Sequence, residues 1–543
     1  MQTKNSKSMY PTGTFVASAL ILGIGLTAFF VHVFAFRKYT MDDSFITFRY
    51  ARNLIDGFGL VFNPQDALEP TEGLTSPLYA ILLALFNLSG LPFILIAKLL
   101  GVAACLVVAL LCGRIVFGVH RLMSGTDNGL SLPAASGAAS YFLADQYVAV
   151  NAVSGMETAI SALAFAGFIF LVWQSLSGPR GAGRPIAIGA IATIVPMFRP
   201  EMAAAVIVFL VCLASLNPTS RRTMLAAGLT FLVIGVLYFA ARYQYYGLPF
   251  PLPFYVKQGD HGLMGMIEIE RFARHMPLML IGSVVLFGYL VVRRRSKRSF
   301  VVDFLFALFA AVALQIGYYA TIKHIMGLGL RYFQPVIVGL IILGFSSLAS
   351  IRHKPLQGTG APGGTAWPVR AVAAGILLIV SVQALRMKDA HDWLIKGYEP
   401  VGRRVVNIGK TMKAVANGEA FTMAVFDCGA IPYHAEFQTI DLAGLNNKAI
   451  ALGGTGAASL KELHDRHPDF LFLAGSTAHP DSVIGWENLA AGDVTALGYM
   501  MRGAVHVGPG YWYHLYSMDD PRVVYYLQRL AQVAAQSEQA PPH

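Results

Sequence analysis

Apolar residues fall along this chain in long blocks, and the blocks set the expected architecture. Runs almost free of charge cover 15–36, 93–113, 133–149, 156–174, 185–198, 201–215, 223–240, 277–292, 300–319, 332–350 and 370–386. A helix needs about 20 apolar residues to cross a bilayer core, so this pattern predicts about eleven transmembrane helices, several of them short. The block Ser76–Leu88 is too short to span and is predicted as an interfacial or re-entrant helix inside the first external loop, 37–92. From about residue 387 charges of both signs return, and no later block is long enough to cross. Phe421–Phe426, Phe437–Ile440 and Phe470–Leu473 read as short strands, and Ala458–Arg466 reads as a helix. The pattern divides the chain into an all-α membrane module, 1–386, and a soluble α/β domain, 387–543. Gly358–Gly364 reads as a linker and Ser537–His543 as a disordered tail. The first block follows Lys4 and Lys7 without a small-x-small cleavage site, which reads as a retained anchor.

Composition agrees and excludes other classes. Of 543 residues, 55% are hydrophobic and only 13% charged. A soluble domain carries about 25% charged residues, so a purely soluble enzyme, a disordered chain and a nucleic-acid-binding module are excluded. The net charge of +11 is explained by its placement. Basic residues sit between blocks: Arg180 with Arg184, Arg221 with Arg222, Arg293–Arg295 with Lys297 and Arg298, and Arg352 with Lys354. Under the positive-inside rule these loops face the cytoplasm. With a cytoplasmic N-terminus, eleven crossings put the C-terminal domain on the periplasmic side of a bacterial inner membrane. Counting Ser76–Leu88 as a crossing would invert every later loop. The cysteines, at 105, 112, 212 and 428, form neither a disulfide framework nor a zinc motif.

The external side then gathers the unusual polar residues. Adjacent carboxylates at Asp42-Asp43 repel each other, and one of them with a raised pKa is suited to take a proton from a hydroxyl; the alternative is that the pair caps the helix that follows. In that helix Arg49, Arg52, Asn53 and Asp56 share one face, either turned toward a cavity or binding lipid headgroups. Asn63, Glu69, Thr71 and Glu72 continue the polar run. Glu157 lies at the turn between the third and fourth blocks. Arg199-Pro200-Glu201 lies between two short spans, where ionisable residues are costly; the pair is either functional or a mutual structural ion pair. Tyr245-Tyr246-Gly247 leads through Pro249, Pro251 and Pro253 to Lys257, a point charge suited to phosphate. His324 and Arg331 flank Gly327 and Gly329, and Arg331 is either a bidentate phosphate ligand or an interfacial anchor. Carboxylates and cations at one mouth of a helix bundle fit a lipid-phosphate-linked sugar that enters laterally and is passed to an acceptor hydroxyl. A transporter of anionic lipids carries similar features, but typically betrays itself by internal repeats, and none is found here.

The run Asp42–Pro64, followed by Glu69-Pro-Thr-Glu-Gly-Leu-Thr-Ser-Pro77, resembles the first external loop of GT-C glycosyltransferases that use polyprenyl-phosphate sugars. Within that group it is most similar to the AftB-like arabinofuranosyltransferases of mycobacterial cell-wall synthesis. Ser154-Gly-Met-Glu157, Arg199-Pro-Glu201, Tyr245-Tyr-Gly247 with Lys257, Gly329-Leu-Arg331, Ile440-Asp-Leu-Ala-Gly-Leu-Asn446 and Pro468-Asp469 resemble that family's motifs in the same order. The resemblance implies a GT-C membrane module and transfer of a sugar, D-arabinofuranose, from a polyprenyl phosphate donor to a periplasmic glycan or glycoprotein. Mannose, glucose or aminoarabinose are the alternative sugars, and a lipid-linked-sugar flippase is the alternative of another class. It also implies that Asp42 or Asp43 is catalytic. Arg199, Lys257 and Arg331 would hold the lipid phosphate, and Glu157 and Glu201 would position the sugar or those cations. Arg49, Arg52, Asn63, Glu72, Tyr246 and His324 complete the expected substrate-binding set. A divalent cation (Mg, Mn or Ca) near the aspartates is a further expectation, although the loop offers no complete ligand set. The expected partners are the donor, the acceptor and membrane lipids, with no nucleic acid. Two departures from the family are visible: a shorter soluble domain, and His324-Ile-Met-Gly-Leu-Gly-Leu-Arg331 in place of a more acidic stretch.

Overall fold

The computed structural model describes residues 12–124, 129–178, 181, 183–256, 262–296, 299–322, 327–350, 366–454, 456–482 and 489–539. Lys257, His324, the linker 358–364 and the last residues of the tail lie outside this set. Every block expected to span is helical. Among the described residues, seven helices are long and apolar enough to cross a bilayer: Gly13–Phe36, Phe93–Met123, Thr158–Ser177, Arg221–Tyr246, Pro277–Arg295, Phe300–Ala320 and Leu328–Ser350. Three expected spans are shorter apolar helices, Arg184–Phe198, Pro200–Leu216 and Val369–Leu385. The block Ser76–Leu88 is a short apolar helix, Pro77–Asn87. Leu225, Leu229, Leu232, Val236 and Leu237 along one long helix are all more than half exposed. Such an apolar surface suits lipid and not water. The chain is a multi-pass membrane protein.

The remaining block, 133–149, is not continuous. It breaks at Asp145 into the helices Ser131–Ala144 and Gln146–Val153. Asp145 leaves helical geometry and caps the second helix, accepting bonds from the backbone N–H groups of Tyr147 (2.8 Å) and Val148 (3.2 Å). Its other oxygen lies 2.6 Å from His275 Nε2 and accepts from Gln383 Nε2 at 2.7 Å. A fully buried carboxylate is tolerated here because four donors surround it. We expect Asp145→Ala to lower stability by about 3 kcal/mol, since it removes the cap and strands buried donors. Asp145→Asn, which keeps an acceptor for the cap, should lose less. Thermal unfolding in detergent checks this order.

By compactness the chain forms two units: Met1–Arg37, Ala97–Tyr238 and Asp260–His391; and Lys38–Ile96, Phe239–Gly259 and Asp392–His543. The second unit thus joins the first loop and a later segment to the C-terminal domain, where hydropathy alone draws a single cut near 387. Hydrogen bonds make the connection, because the polar loop satisfies its groups on C-terminal residues: Thr71 Oγ1 donates to Asn446 O, and Tyr50 Oη to Asn446 Oδ1.

The C-terminal domain contains a five-stranded sheet: β1 (Thr422–Val425), β2 (Gln438–Asp441), β3 (Phe470–Gly475), β4 (Met500–Gly508) and β5 (Tyr511–Ser517), in the order β2-β1-β3-β5-β4. The three expected strands are β1 to β3, and the expected helix is Ala457–Arg466. The β4–β5 hairpin was not expected. Strand β1 pairs in parallel with both β2 and β3, whereas β5 runs antiparallel to β3. Ala424, Ile440, Leu471 and Leu473 build the core with Leu463 and Tyr516. After β2 the chain crosses back over β1 to form β3, so the carboxyl end of β1 is a topological switch point. Open α/β sheets bind ligands at such places.

Candidate active site

Within the second unit, Asp42 stands just before the helix Asp43–Ile55, yet its side chain does not cap it. The carboxylate turns instead to the loop after β1, where its Oδ1 accepts from the Ala430 backbone N–H at 2.9 Å. Its own N–H donates to Tyr398 Oη at 3.4 Å. Gly429 makes this approach feasible, because a Cβ at that position would fall on the Asp42 carboxylate. Two residues upstream, Asp427 accepts hydrogen bonds from Tyr513 Oη (2.6 Å) and from Tyr511 Oη. Burial first, and then the negative charges of Asp427 and Asp43, push Asp42 up to about 8, against the opposing N–H groups of Ala430 and Gly429. Burial likewise raises Asp427, against its two tyrosine donors. Asp43 lies in the first helical turn, where the helix dipole favours negative charge.

The other first-loop candidates in this unit serve to hold it. Arg49 is buried, and its guanidinium donates to Phe62 O (2.6 Å), Pro432 O (2.7 Å), Phe437 O (2.8 Å) and Asn63 Oδ1 (2.9 Å). Asn63 bonds both the N–H and the carbonyl of Thr439, each at 3.0 Å. Arg52 pairs with Glu436 at 2.9 Å and lies over the Tyr433 ring. Glu72 is gripped by Arg242, which also donates to Pro249 O at 2.7 Å. Tyr246 Oη donates to Leu60 O at 3.2 Å. The motif Ile440–Asn446 is a loop lock: Asp441 accepts from Ala443 N, Asn446 N, Asn446 Nδ2 and Cys428 Sγ. Burial raises Asp441 to about 6 despite these donors. Arginine faces that read as turned to a cavity or to headgroups are thus turned largely inward, onto backbone carbonyls.

The first unit gathers a separate cluster from three motifs far apart in sequence. Arg199 pairs with Glu157 (3.2 Å) and Glu201 (3.2 Å), and donates to the Arg331 carbonyl at 3.2 Å. The Arg199 guanidinium lies 4.7 Å from the centre of the Tyr332 ring, and that of Arg331 lies 5.3 Å from it. Gly329 and Leu330 both adopt left-handed backbone, and Asn151 Nδ2 holds the Gly329 carbonyl at 2.8 Å. A leucine in that region is strained, and strain of this kind collects at ligand sites. Glu157, Arg199 and Arg331 are buried and Glu201 is partly exposed, so this cluster of charges has little access to water.

The sequence singles out Asp42 and Asp43 but not the residues the structure places around them, Asp427, Tyr511, Tyr513 and Tyr398. The available signal was an Asp-Cys-Gly run directly after an apolar strand. As for the expected divalent cation, among the described residues no three His, Cys, Asp or Glu side chains group to hold a metal ion. The donor set does not fit one, and no step below runs through it.

Comparison with known proteins supports the fold. Residues 396–516 match a family model described only as a domain of unknown function, DUF8728. A terminal β-(1→2)-arabinofuranosyltransferase of Mycobacterium tuberculosis is 31% identical over 283 residues, covering 49% of this chain and 42% of that protein. The match therefore spans less than half of the relative's length. ArnT from Cupriavidus metallidurans, solved with undecaprenyl phosphate, superposes with a TM-score of 0.56 at 13% identity, covering 93% of this chain and 98% of that one. The oligosaccharyltransferase AglB of Archaeoglobus fulgidus, solved with an inhibitory peptide and a dolichol-phosphate, gives 0.54 at 11% identity, covering 85% and 69%. The GT-C resemblance of the ordered motifs is borne out: this chain has the GT-C fold.

Proposed function

We propose that this protein is a membrane glycosyltransferase that moves a sugar from a polyprenyl phosphate to a hydroxyl of a glycan or glycoprotein on the extracytoplasmic face. The relationship to an arabinofuranosyltransferase favours D-arabinofuranose as that sugar. The observation that carries the reading is the Asp42 carboxylate, half-buried, fixed by one backbone N–H and raised to about 8. A base whose pKa lies near working pH accepts a proton from an attacking hydroxyl most effectively. In this reading Asp42 deprotonates the acceptor while Asp43 supplies negative charge as positive charge develops at the anomeric carbon. Within the first unit, Glu157 and Glu201 hold the Arg199 guanidinium, a cation of the kind that neutralises a lipid phosphate. Arg49, Asn63 and Glu72 act by holding the first loop in shape.

The test uses the full chain in detergent micelles with synthetic polyprenyl-phosphate arabinofuranose and an arabinan oligosaccharide. Mass spectrometry should show the acceptor extended by one pentose. Micelles have no two compartments, so product formation separates an enzyme from a flippase. Parallel donors carrying mannose, glucose or aminoarabinose identify the sugar. No product from any of them would sink the transferase reading.

A further inference from the structure

Asp427 has no place in the reaction as drawn so far, although it is the carboxylate that the fold brings to Asp42. It emerges from the carboxyl end of β1, at the switch point of the sheet, and begins the turn whose next residues wrap Asp42. Cys428 is anchored behind that turn on Asp441 at 3.2 Å. Gly429 lies against the Asp42 carboxylate, and Ala430 donates to it. Two tyrosines of β5 hold the Asp427 carboxylate itself. A structural aspartate needs only to be satisfied. This one is satisfied by hydroxyl donors and opens the turn whose third following residue, Ala430, holds a second carboxylate by its N–H.

We propose that Asp427, held by Tyr511 and Tyr513, is a positioning residue that sets the basicity of Asp42. The titratable groups around the two carboxylates are Asp43 from the first loop, Tyr398, Cys428 beside Asp427, and Tyr511 and Tyr513 from β5. After burial, the Asp427 charge is the largest influence raising Asp42. Two neighbouring carboxylates in such surroundings do not ionise together freely, so they titrate as a pair. A proton gained from an acceptor is then received by the pair. The C-terminal domain, besides any role in acceptor capture, tunes a base that belongs to the first loop.

The consequence rests on the transferase reading, but the test does not. Infrared difference spectra of the full chain in nanodiscs, recorded across a pH titration, follow the protonated-carboxyl carbonyl band, and Asp42→Asn identifies the part due to Asp42. Removing the Asp427 charge favours ionisation of Asp42, so Asp427→Asn should lower that midpoint by about one pH unit or more. Under the transferase reading, the rising limb of the kcat–pH profile moves down with it. In the Tyr511→Phe, Tyr513→Phe double variant Asp427 loses its donors and keeps its proton to higher pH. It then presents less charge, and the Asp42 midpoint also falls. An unchanged midpoint in folded Asp427→Asn, or in the double variant where the single one does not fold, overturns the proposal. If the midpoint shifts while wild type transfers no sugar, the transferase reading fails and the coupling stands. If wild type transfers sugar and the midpoint does not move, the reverse holds.

Discussion

Asp42→Asn is expected to reduce kcat for sugar transfer about a thousandfold while leaving the protein folded and the donor KM nearly unchanged. Asparagine keeps an oxygen that accepts from the Ala430 N–H, so the bond that seats the side chain survives. The substitution removes the ability to take up a proton, and general-base catalysis contributes about 10²–10⁴-fold. A loss confined to kcat marks an interaction made only in the transition state. The pH profile gives an independent check. As a base Asp42 acts only when ionised, so wild-type kcat should rise with pH and level off above about 8. It should fall as pH drops through that value. Asp43→Asn should be less damaging, because Asp43 lies in the first helical turn. Initial rates with each variant, with a thermal midpoint as folding control, decide the matter. Full activity in folded Asp42→Asn removes this residue from the chemistry.

Much of the membrane architecture is legible from hydropathy because a bilayer imposes one demand on every spanning residue. The exception is instructive. The 133–149 block reads as a span, yet it breaks at Asp145, whose donors include His275 and Gln383 from far along the chain. No local pattern shows that a buried carboxylate will find them. In the C-terminal domain, β1 and β3 are almost wholly buried and read as largely apolar runs, whereas β2 is buried with a mostly polar sequence and is marked only by Phe437 and Ile440. Strand β4 is an edge strand, largely exposed and interrupted by two register shifts, and so shows neither an apolar run nor clean alternation.

The candidate site divides along the same line. Adjacent aspartates after an apolar helix are conspicuous in sequence. The residue that tunes one of them is not, because the turn contacting Asp42 lies 388 positions away at Ala430. The surroundings of the cations are hidden from the sequence for a related reason. Arg49 and Arg52 share a helical face, as the spacing predicts, but periodicity says nothing about what that face meets. It meets the carbonyls of Pro432, Phe437 and Tyr433. In the first unit, by contrast, the expected pairing of Arg199 with Glu201 is present, and Glu157 joins it from another motif.

Arg49→Lys therefore separates a structural arginine from a substrate-binding one. Its guanidinium bonds three backbone carbonyls and Asn63, and it packs 4.5 Å from the centre of the Phe62 ring. Burial lowers its pKa to about 10, still far above working pH, so the group remains charged. A lysine keeps the charge but replaces a planar fork by one ammonium, and cannot reach acceptors spread over Phe62, Pro432 and Phe437 together. Each buried carbonyl left without a donor costs about 1–3 kcal/mol. We expect Arg49→Lys to lower stability by about 2–4 kcal/mol and Arg49→Ala by more. Pro432 lies in the short helix that begins at Ala430, so loosening it also loosens the seat of Asp42. Thermal unfolding in detergent should show the loss in stability, and kcat should fall even at saturating donor. An arginine that bound the donor phosphate would behave otherwise: Arg49→Lys would unfold at the wild-type temperature and raise the donor KM. That outcome would return Arg49 to the substrate-binding set.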